Sequence, residues 1–457
     1  MENNIIVDSQ KKELEPIKNL EKIINPKEAS EEESEEESEE ESEEESEEES
    51  EDNTTTSSDE LSDETFVIES DIIKNYNLIK KIGSGSYSQV WLVYNTIDEN
   101  FYAMKIQNPK NFKDGKSEIN ILKRIPQHKN LLTLKNYFTI EKNNKRYIYS
   151  IFDICCENLD TLIRKGDYKE GIPLDTVKKI FKQIISGLYT LHIKCKLIHC
   201  DIKTDNILLK GINNINKKII NDYKEQNFKN TFNSRKCKIW LESGKDISSI
   251  KKMKVDKKNK IKYQVHNDIL KSLNLVYTNE DKYKNIDSKY LYNPEIAIAD
   301  FGAACIDDEY YDGDFGTRYY RAPEIILEGN FSNKVDIWAV GCVLYELVTG
   351  EFLFDPKKDR NNSRDYYHLS EIIDLLGNFE IETLKSTKKW KTYFNKSGRL
   401  INKSDNTSNK FNKLYKNIKD ENEYNQLIKL LKNMLEKDWK KRFSIHDIIN
   451  DQWFKKI

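Results

Sequence analysis

Three side chains able to act together on a phosphate ester fall within six residues: Asp201, Lys203 and Asn206. The Asp201 carboxylate can take a proton from a hydroxyl, the Lys203 ammonium can hold a phosphate, and the Asn206 amide oxygen can ligate Mg²⁺. They sit in Ile-His-Cys-Asp-Ile-Lys-Thr-Asp-Asn-Ile-Leu-Leu, residues 198–209, where apolar residues flank a polar centre. Such a stretch reads as a buried strand-like frame around a short loop of functional groups. Another carboxylate, Asp300, opens Asp-Phe-Gly directly after the strand-like run Ile-Ala-Ile-Ala.

Other elements must bring a phosphate to these groups. Residues 82–92 read as strand, glycine loop, strand. Gly83 and Gly85 let backbone N–H groups come close to phosphate oxygens. The loop comprises Ile82, Gly83, Ser84, Gly85, Ser86, Tyr87, Ser88, Gln89 and Val90, with Ser88 at the third glycine position of G-x-G-x-x-G. Lys105 lies between apolar residues in Tyr-Ala-Met-Lys-Ile and reads as a contact to the α and β phosphates of a nucleotide. Glu118 belongs to a helical pattern with Ile119, Ile121 and Leu122 and is the expected partner of Lys105. A buried strand is expected over residues 147–154, and a long amphipathic helix over 174–192.

The chain has 457 residues, 37% hydrophobic and 33% charged, and its net charge of −4 conceals two opposed parts. Residues 1–75 carry 29 acidic and 6 basic groups, leaving about +19 for the remainder. From Ser30 to Ser50 a serine recurs every fourth residue between glutamate triplets. That tail is expected to be disordered, because it cannot bury apolar surface and its charges repel. It reads as a solvating segment, as sites for an acid-directed kinase of the casein kinase 2 type, or as a binder of basic partners. Residues 211–293 are rich in Asn and Lys, with seven lysines and one acid between Lys251 and Lys262. They read as a mostly disordered insertion: a spacer, a nuclear-import or nucleic-acid patch, or a segment that folds back on the acidic tail. The seven cysteines contain no C-x-x-C pair, which points to reduced thiols in the cytoplasm or nucleus. The N-terminus lacks the apolar core of a signal peptide, and the most apolar stretch, residues 337–348, is too short for a bilayer and contains Glu346.

The spacing of Asp201, Lys203 and Asn206, followed by Asp300-Phe-Gly, resembles the catalytic loop and metal-binding motif of the eukaryotic protein kinases. The resemblance covers residues 76–457 and implies an α+β, two-lobed fold. The small β-rich lobe would span about 76–152 and the larger helical lobe about 156–457, with residues 1–75 as the tail and about 211–293 as a spacer. It implies ATP and Mg²⁺ as cofactors and transfer of the γ-phosphoryl group to Ser or Thr of a protein. Asp201 would be the catalytic base, Lys203 would offset charge on the γ-phosphate, and Asn206 and Asp300 would hold the metal. Phe152 would close the back of the nucleotide pocket, and Asp153 and Cys155 would belong to the adenine-binding hinge. Glu324 would pair with Arg442, and Asp336 would tie down the catalytic loop.

The sequence is more closely similar to the SR-protein kinases, within the group that includes the cyclin-dependent and MAP kinases. The similarity lies in residues 82–92, in 172–201, in the insertion before Asp300, and in Gly-Glu-Phe-Leu-Phe-Asp-Pro at 350–356 with the segments 363–365 and 372–377. It implies Arg/Ser-rich protein substrates. Their acidic docking groove would map to Glu351 and Asp374, with Tyr367 in place of a third acid. The Asp-Phe-Gly and Ala-Pro-Glu motifs match the wider group instead. Cys200 stands where the catalytic loop usually has Arg, and residues 300–316 contain no Ser or Thr, only the hydroxyls of Tyr310 and Tyr311. Both features imply an activation segment held without Ser/Thr phosphorylation, hence constitutive activity. The alternatives are a kinase of the same group with another substrate class and a pseudokinase scaffold. A monomer without membrane or nucleic-acid partners is expected.

Overall fold

The computed structural model describes residues 72–85, 87–164, 166–273, 275, 292–307, 315–358, 362–403 and 407–456. The acidic tail, Ser86, and the acids and tyrosines of 308–314 lie outside the described residues.

The first lobe is built on strands β1 (Ile72–Ile73), β2 (Tyr76–Ser84), β3 (Ser88–Asn95), β4 (Phe101–Gln107), β5 (Asn136–Lys142) and β6 (Lys145–Phe152). They form one antiparallel sheet in the order β1-β2-β3-β4-β6-β5. Leu92, Met104 and Ile106 are fully buried in it. Helix α1 (Phe112–Arg124) covers the sheet with the face carrying Glu118, Ile119 and Leu122, so the apolar stripe that makes the helix also turns Glu118 inward.

The second lobe is mostly helical. Strand β7 (Cys155–Asn158) leads into α2 (Leu159–Arg164) and then α3 (Leu174–Tyr189), whose Val177, Phe181, Ile184 and Leu188 are fully buried. A π-helical turn at Thr190–Cys195 continues α3 to β8 (Leu197–Ile198) and β9 (Ile207–Lys210).

The catalytic stretch predicted from sequence is the loop between β8 and β9. Strand β9 pairs with β10 (Ile296–Ile298), so Ile207 faces Ile298 and Asp300 emerges beside Asn206. Strand β11 (Cys305–Ile306) pairs with β8. These antiparallel pairings bring residues almost a hundred positions apart to one place.

The insertion differs from expectation. Within it, residues 214–272 form helices α4 (Asn214–Glu225), α5 (Phe228–Glu242) and α6 (Val255–Ser272) rather than a disordered spacer. Ile215, Ile219 and Tyr223, spaced four apart, and Ile261, Val265 and Ile269, spaced likewise, form apolar stripes inside Lys- and Asn-rich sequence. These stripes pack with Trp240 and Met253 against Ile79, Leu92 and Tyr94 of the first lobe. Asn213 and Asn227 cap α4 and α5 through side-chain bonds to Asn216 and Asn230. The asparagines that suggested disorder therefore start helices.

Helix α7 (Pro323–Ile326) begins at the Ala-Pro-Glu motif, and α8 (Lys334–Thr349) is buried from Val335 to Thr349. It ends at Gly350, whose φ of 77° is left-handed and whose Cβ position would lie 2.1 Å from the Lys169 oxygen, so glycine is required there. Helices α9 (Arg364–Leu376), α10 (Glu421–Met434), α11 (Ile445–Asn450) and α12 (Gln452–Lys455) complete the lobe among the described residues, with shorter helical turns between α9 and α10.

Candidate active site

The loop and strands surround a cleft of about 900 Å³ between the lobes, within the range for small-molecule sites. Ile82, Gly83, Ser84, Gly85, Tyr87, Ser88 and Val90 line its roof, and Lys105, Glu118, Asp153, Cys155, Asp201, Lys203, Asn206 and Asp300 line its walls and floor. Phe152 also faces it. Gln89 is the exception: its side chain is buried and accepts a hydrogen bond from Trp91 Nε1 at 3.2 Å.

Lys105 Nζ donates to Glu118 Oε1 and Oε2 at 2.6 and 2.8 Å and reaches Asp300 Oδ1 at 3.4 Å. Burial works against the ammonium, but the carboxylates of Glu118 and Asp300 outweigh it and raise Lys105 above the ordinary lysine range. Lys105 therefore stays charged in the cleft. Asp300 adopts a left-handed backbone, φ 64°, and its carboxylate remains half exposed.

Across the cleft, Asp201 Oδ1 accepts from Thr317 N at 2.8 Å and Thr317 Oγ1 at 2.7 Å, and Oδ2 meets Lys203 Nζ at 2.7 Å. Lys203 also donates to Thr317 Oγ1 at 2.8 Å. Burial raises Asp201, yet Lys203 and the bonds from Lys203 and Thr317 prevail and lower its carboxyl below the usual range. Asn206 Nδ2 donates to the Asp201 backbone oxygen at 2.8 Å and to Oδ2 at 3.2 Å. With the amide nitrogen so committed, the Asn206 oxygen is left to serve as a donor to a cation. An amide oxygen and a half-exposed carboxylate are hard oxygen donors of the kind Mg²⁺ takes.

Asp336 anchors the loop from below, accepting from His199 N at 2.8 Å and Cys200 N at 2.9 Å and bonding His192 Nε2 at 2.8 Å. Arg442 donates to both Glu324 oxygens at 2.6 and 2.8 Å, with both side chains fully buried.

The protein kinase domain family matches residues 76–223 and 246–454. This chain belongs to the protein kinase family. It is 32% identical over 337 residues to the serine/threonine-protein kinase SRPK of Physarum polycephalum, covering 71% of this chain and 72% of that one. It is 26% identical over 386 residues to protein kinase dsk1 of Schizosaccharomyces pombe, covering 72% and 71%, and 24% identical over 432 residues to human SRSF protein kinase 3, covering 71% and 76%.

The kinase is of the serine/threonine type and similar to SRPK kinases; the family uses ATP with Mg²⁺. No helix among its described residues is long and apolar enough to cross a membrane.

In the hinge, Asp153 forms an exposed ion pair with Lys135 at 3.0 Å, and burial pushes the Cys155 thiol up to about 12, so it stays protonated. Among the cleft residues that went unread in the sequence are Asn213 and Asn216, from the start of α4. Asn213 Nδ2 donates to the Cys156 oxygen beside the hinge at 3.2 Å. The four-residue apolar spacing after Asn213 is the signal that could have found them.

The docking candidates are already paired. Glu351 is bonded to Lys413, and Asp374 to Lys403 at 2.5 Å.

Proposed function

We propose that the kinase transfers the γ-phosphoryl group of ATP to Ser or Thr in Arg/Ser-rich proteins, with the residues named above in the following roles. Asp201 orients the acceptor hydroxyl and takes its proton. Lys203, between Asp201 and Thr317, holds the γ-phosphate and offsets its charge. Lys105, fixed by Glu118, binds the α and β phosphates, and the backbone of Gly83, Ser84, Gly85 and Ser88 covers them. Asn206 and Asp300 hold Mg²⁺, which when bound neutralises phosphate charge. Rate enhancement comes mainly from positioning and electrostatic stabilisation. The observation that carries this reading is the meeting of Asp201, Lys203 and Thr317 within 2.8 Å on one side of a cleft whose other side holds Lys105 and Glu118.

The substrate class rests on the relatives named SRPK and SRSF protein kinase. A second reading, a kinase of this type with another substrate class, is favoured by the lysines already seated on Glu351 and Asp374. Constitutive activity is supported by contacts that the activation segment makes within itself and with α9. Arg321 Nη2 donates to the Gly316 oxygen at 2.8 Å, and Arg318 pairs with Asp365.

Phosphoryl transfer from Mg-ATP to an Arg-Ser repeat peptide, a Ser-Pro peptide and an acidic Ser peptide tests all of this, with Asp201→Ala as control. Preferred labelling of the Arg-Ser peptide, lost in the control, is expected. Preference for another peptide rejects the substrate class, and labelling no greater than the control rejects the catalytic roles. Phosphatase treatment should leave activity intact; its loss would reject constitutive activity.

A further inference from the structure

Two thiols that take no part in the proposed chemistry lie against each other beneath it. Cys200 immediately precedes Asp201 in the catalytic loop, and Cys305 opens β11 in the activation segment. Their sulfurs are 3.4 Å apart, and both residues are buried. The register of β8 and β11 sets Cys305 opposite Ile198, and Cys200 then leaves the strand with a left-handed φ of 65°. Both are free cysteines.

We propose that Cys200 and Cys305 form a reversible disulfide under hydrogen peroxide and that this bond switches off phosphoryl transfer. In the first step one thiolate attacks the peroxide: an S–O bond forms, the O–O bond breaks and one water leaves. In the second the other thiolate attacks the sulfenic sulfur: the S–S bond forms, the S–O bond breaks and a second water leaves. The thiols lose two electrons, the peroxide gains them, and both thiol protons end in water. The sulfurs must approach by about 1.4 Å to reach bonding distance. The second step is intramolecular between groups already in contact, which favours the disulfide over further oxidation. The first is slow, because the hydrogen bond to Cys305 and burial raise the Cys200 thiol. The pair thus responds to sustained rather than brief peroxide.

The route from the bond to turnover is short. Cys200 N is held by Asp336, and the Cys200 oxygen lies 2.9 Å from where a Cβ on Gly316 would stand. Thr317, the next residue, donates both bonds that fix Asp201 Oδ1. Drawing Cys200 toward Cys305 therefore displaces the Asp201–Thr317 contact more than the nucleotide cleft. The activity consequence rests on the catalytic reading above, whereas formation of the bond does not.

The test is hydrogen peroxide treatment of the full chain, alkylation of the remaining thiols, and peptide mass mapping without reductant. Phosphoryl transfer is followed in parallel. A linked Cys200–Cys305 peptide is expected, with kcat down at least tenfold, KM for ATP little changed, and recovery on adding dithiothreitol. Cys305→Ser should retain its activity through the same treatment. Recovery of Cys200 and Cys305 unlinked, while Cys195 or Cys237 is oxidised, overturns the proposal. So does a linked peptide with unchanged kcat, or a Cys305→Ser protein that loses activity equally. If the untreated chain has no activity, the linked peptide still decides whether the bond forms, and the failure falls on the catalytic reading.

Discussion

His266 in the insertion bonds through Nε2 to the backbone oxygen of Leu78 at 2.9 Å, across 188 positions of chain. Since a carbonyl only accepts, His266 carries its proton on Nε2, and Nδ1 accepts from the Tyr223 hydroxyl at 3.2 Å. Tyr223 in turn accepts from Asn77 Nδ2 at 3.0 Å. This chain of buried polar groups ties α4 and α6 to β2, the strand that leads into the glycine loop. The insertion is thereby a brace on the nucleotide-binding lobe.

Removing the Tyr223 hydroxyl leaves buried partners on both sides unsatisfied. Tyr223→Phe should therefore lower stability by about 1–3 kcal/mol, measured as a shift in the urea midpoint at constant m. Because β2 enters the glycine loop, KM for ATP should rise as well. Unchanged stability would mean that the helices do not brace the lobe in solution.

Lys105 is shared between Glu118 and Asp300, with Glu118 the closer. Glu118→Gln weakens the tether, and Lys105 then pairs more fully with Asp300 and competes with its role toward the metal. A loss of kcat/KM of about 10²-fold is expected. Stability should fall as well, because the largely buried Lys105 ammonium loses its closer carboxylate. Steady-state kinetics over a range of Mg²⁺ concentrations should show the variant needing more metal; an unaltered requirement would separate Lys105 from Asp300.

The catalytic constellation was legible because its residues are close in sequence and chemically unusual there: Asp201, Lys203 and Asn206 in an apolar frame, and Asp300 after an apolar strand. The Glu324–Arg442 pair followed from the resemblance; with both side chains fully buried, each charge needs the other. The insertion was misread for a physical reason. Helices α5 and α6 bury few side chains, Phe228 and Trp240 on one and Ile261, Val265, His266 and Ile269 on the other, amid many lysines. Average composition hides a stripe that its spacing reveals. The lysines on Glu351 and Asp374 were invisible for another reason: Lys413 and Lys403 lie far along the chain and meet these acids only through tertiary packing.

Those two lysines separate the substrate readings. The Glu351–Lys413 pair is half exposed on both sides and holds little energy, so an incoming guanidinium can displace Lys413. The Asp374–Lys403 pair is more enclosed, with Asp374 20% and Lys403 11% exposed. Lys403→Ala should free Asp374 and lower KM for an Arg-Ser repeat peptide several-fold, with a smaller effect from Lys413→Ala. A Ser-Pro peptide should be indifferent to both. Equal insensitivity of the Arg-Ser peptide would remove Asp374 from any docking role.

Two buried titrating groups in the second lobe oppose each other with pH. Burial raises Glu346 from 4.5 to about 7, despite its hydrogen bond from Tyr320 and its ion pair with Arg164. Between those values the folded state binds a proton that the unfolded state has released, so Glu346 makes stability fall as pH rises from about 4.5 to 7. Burial, with Arg318, Arg321 and Lys410 nearby, lowers His368 from 6.5 to about 3. Here the unfolded state binds the extra proton, so stability falls as pH drops below 6.5 toward 3. From about pH 4.5 to 6.5 each contributes up to roughly 1.4 kcal/mol per pH unit with opposite sign, and the two largely cancel. Among the described residues, neither ring nitrogen of His368 has a hydrogen-bond partner. His368→Leu should therefore stabilise the kinase by about 1 kcal/mol at pH 7 and, with its opposing term gone, make it more stable at pH 5 than at pH 6.5 relative to wild type. Glu346→Gln should show the reverse slope. Thermal melts of the three proteins at pH 5, 6 and 6.5 check this. Parallel profiles would mean that folding shifts the titration of neither group, and the assignment of a neutral His368 and a protonated Glu346 to the folded lobe would fall.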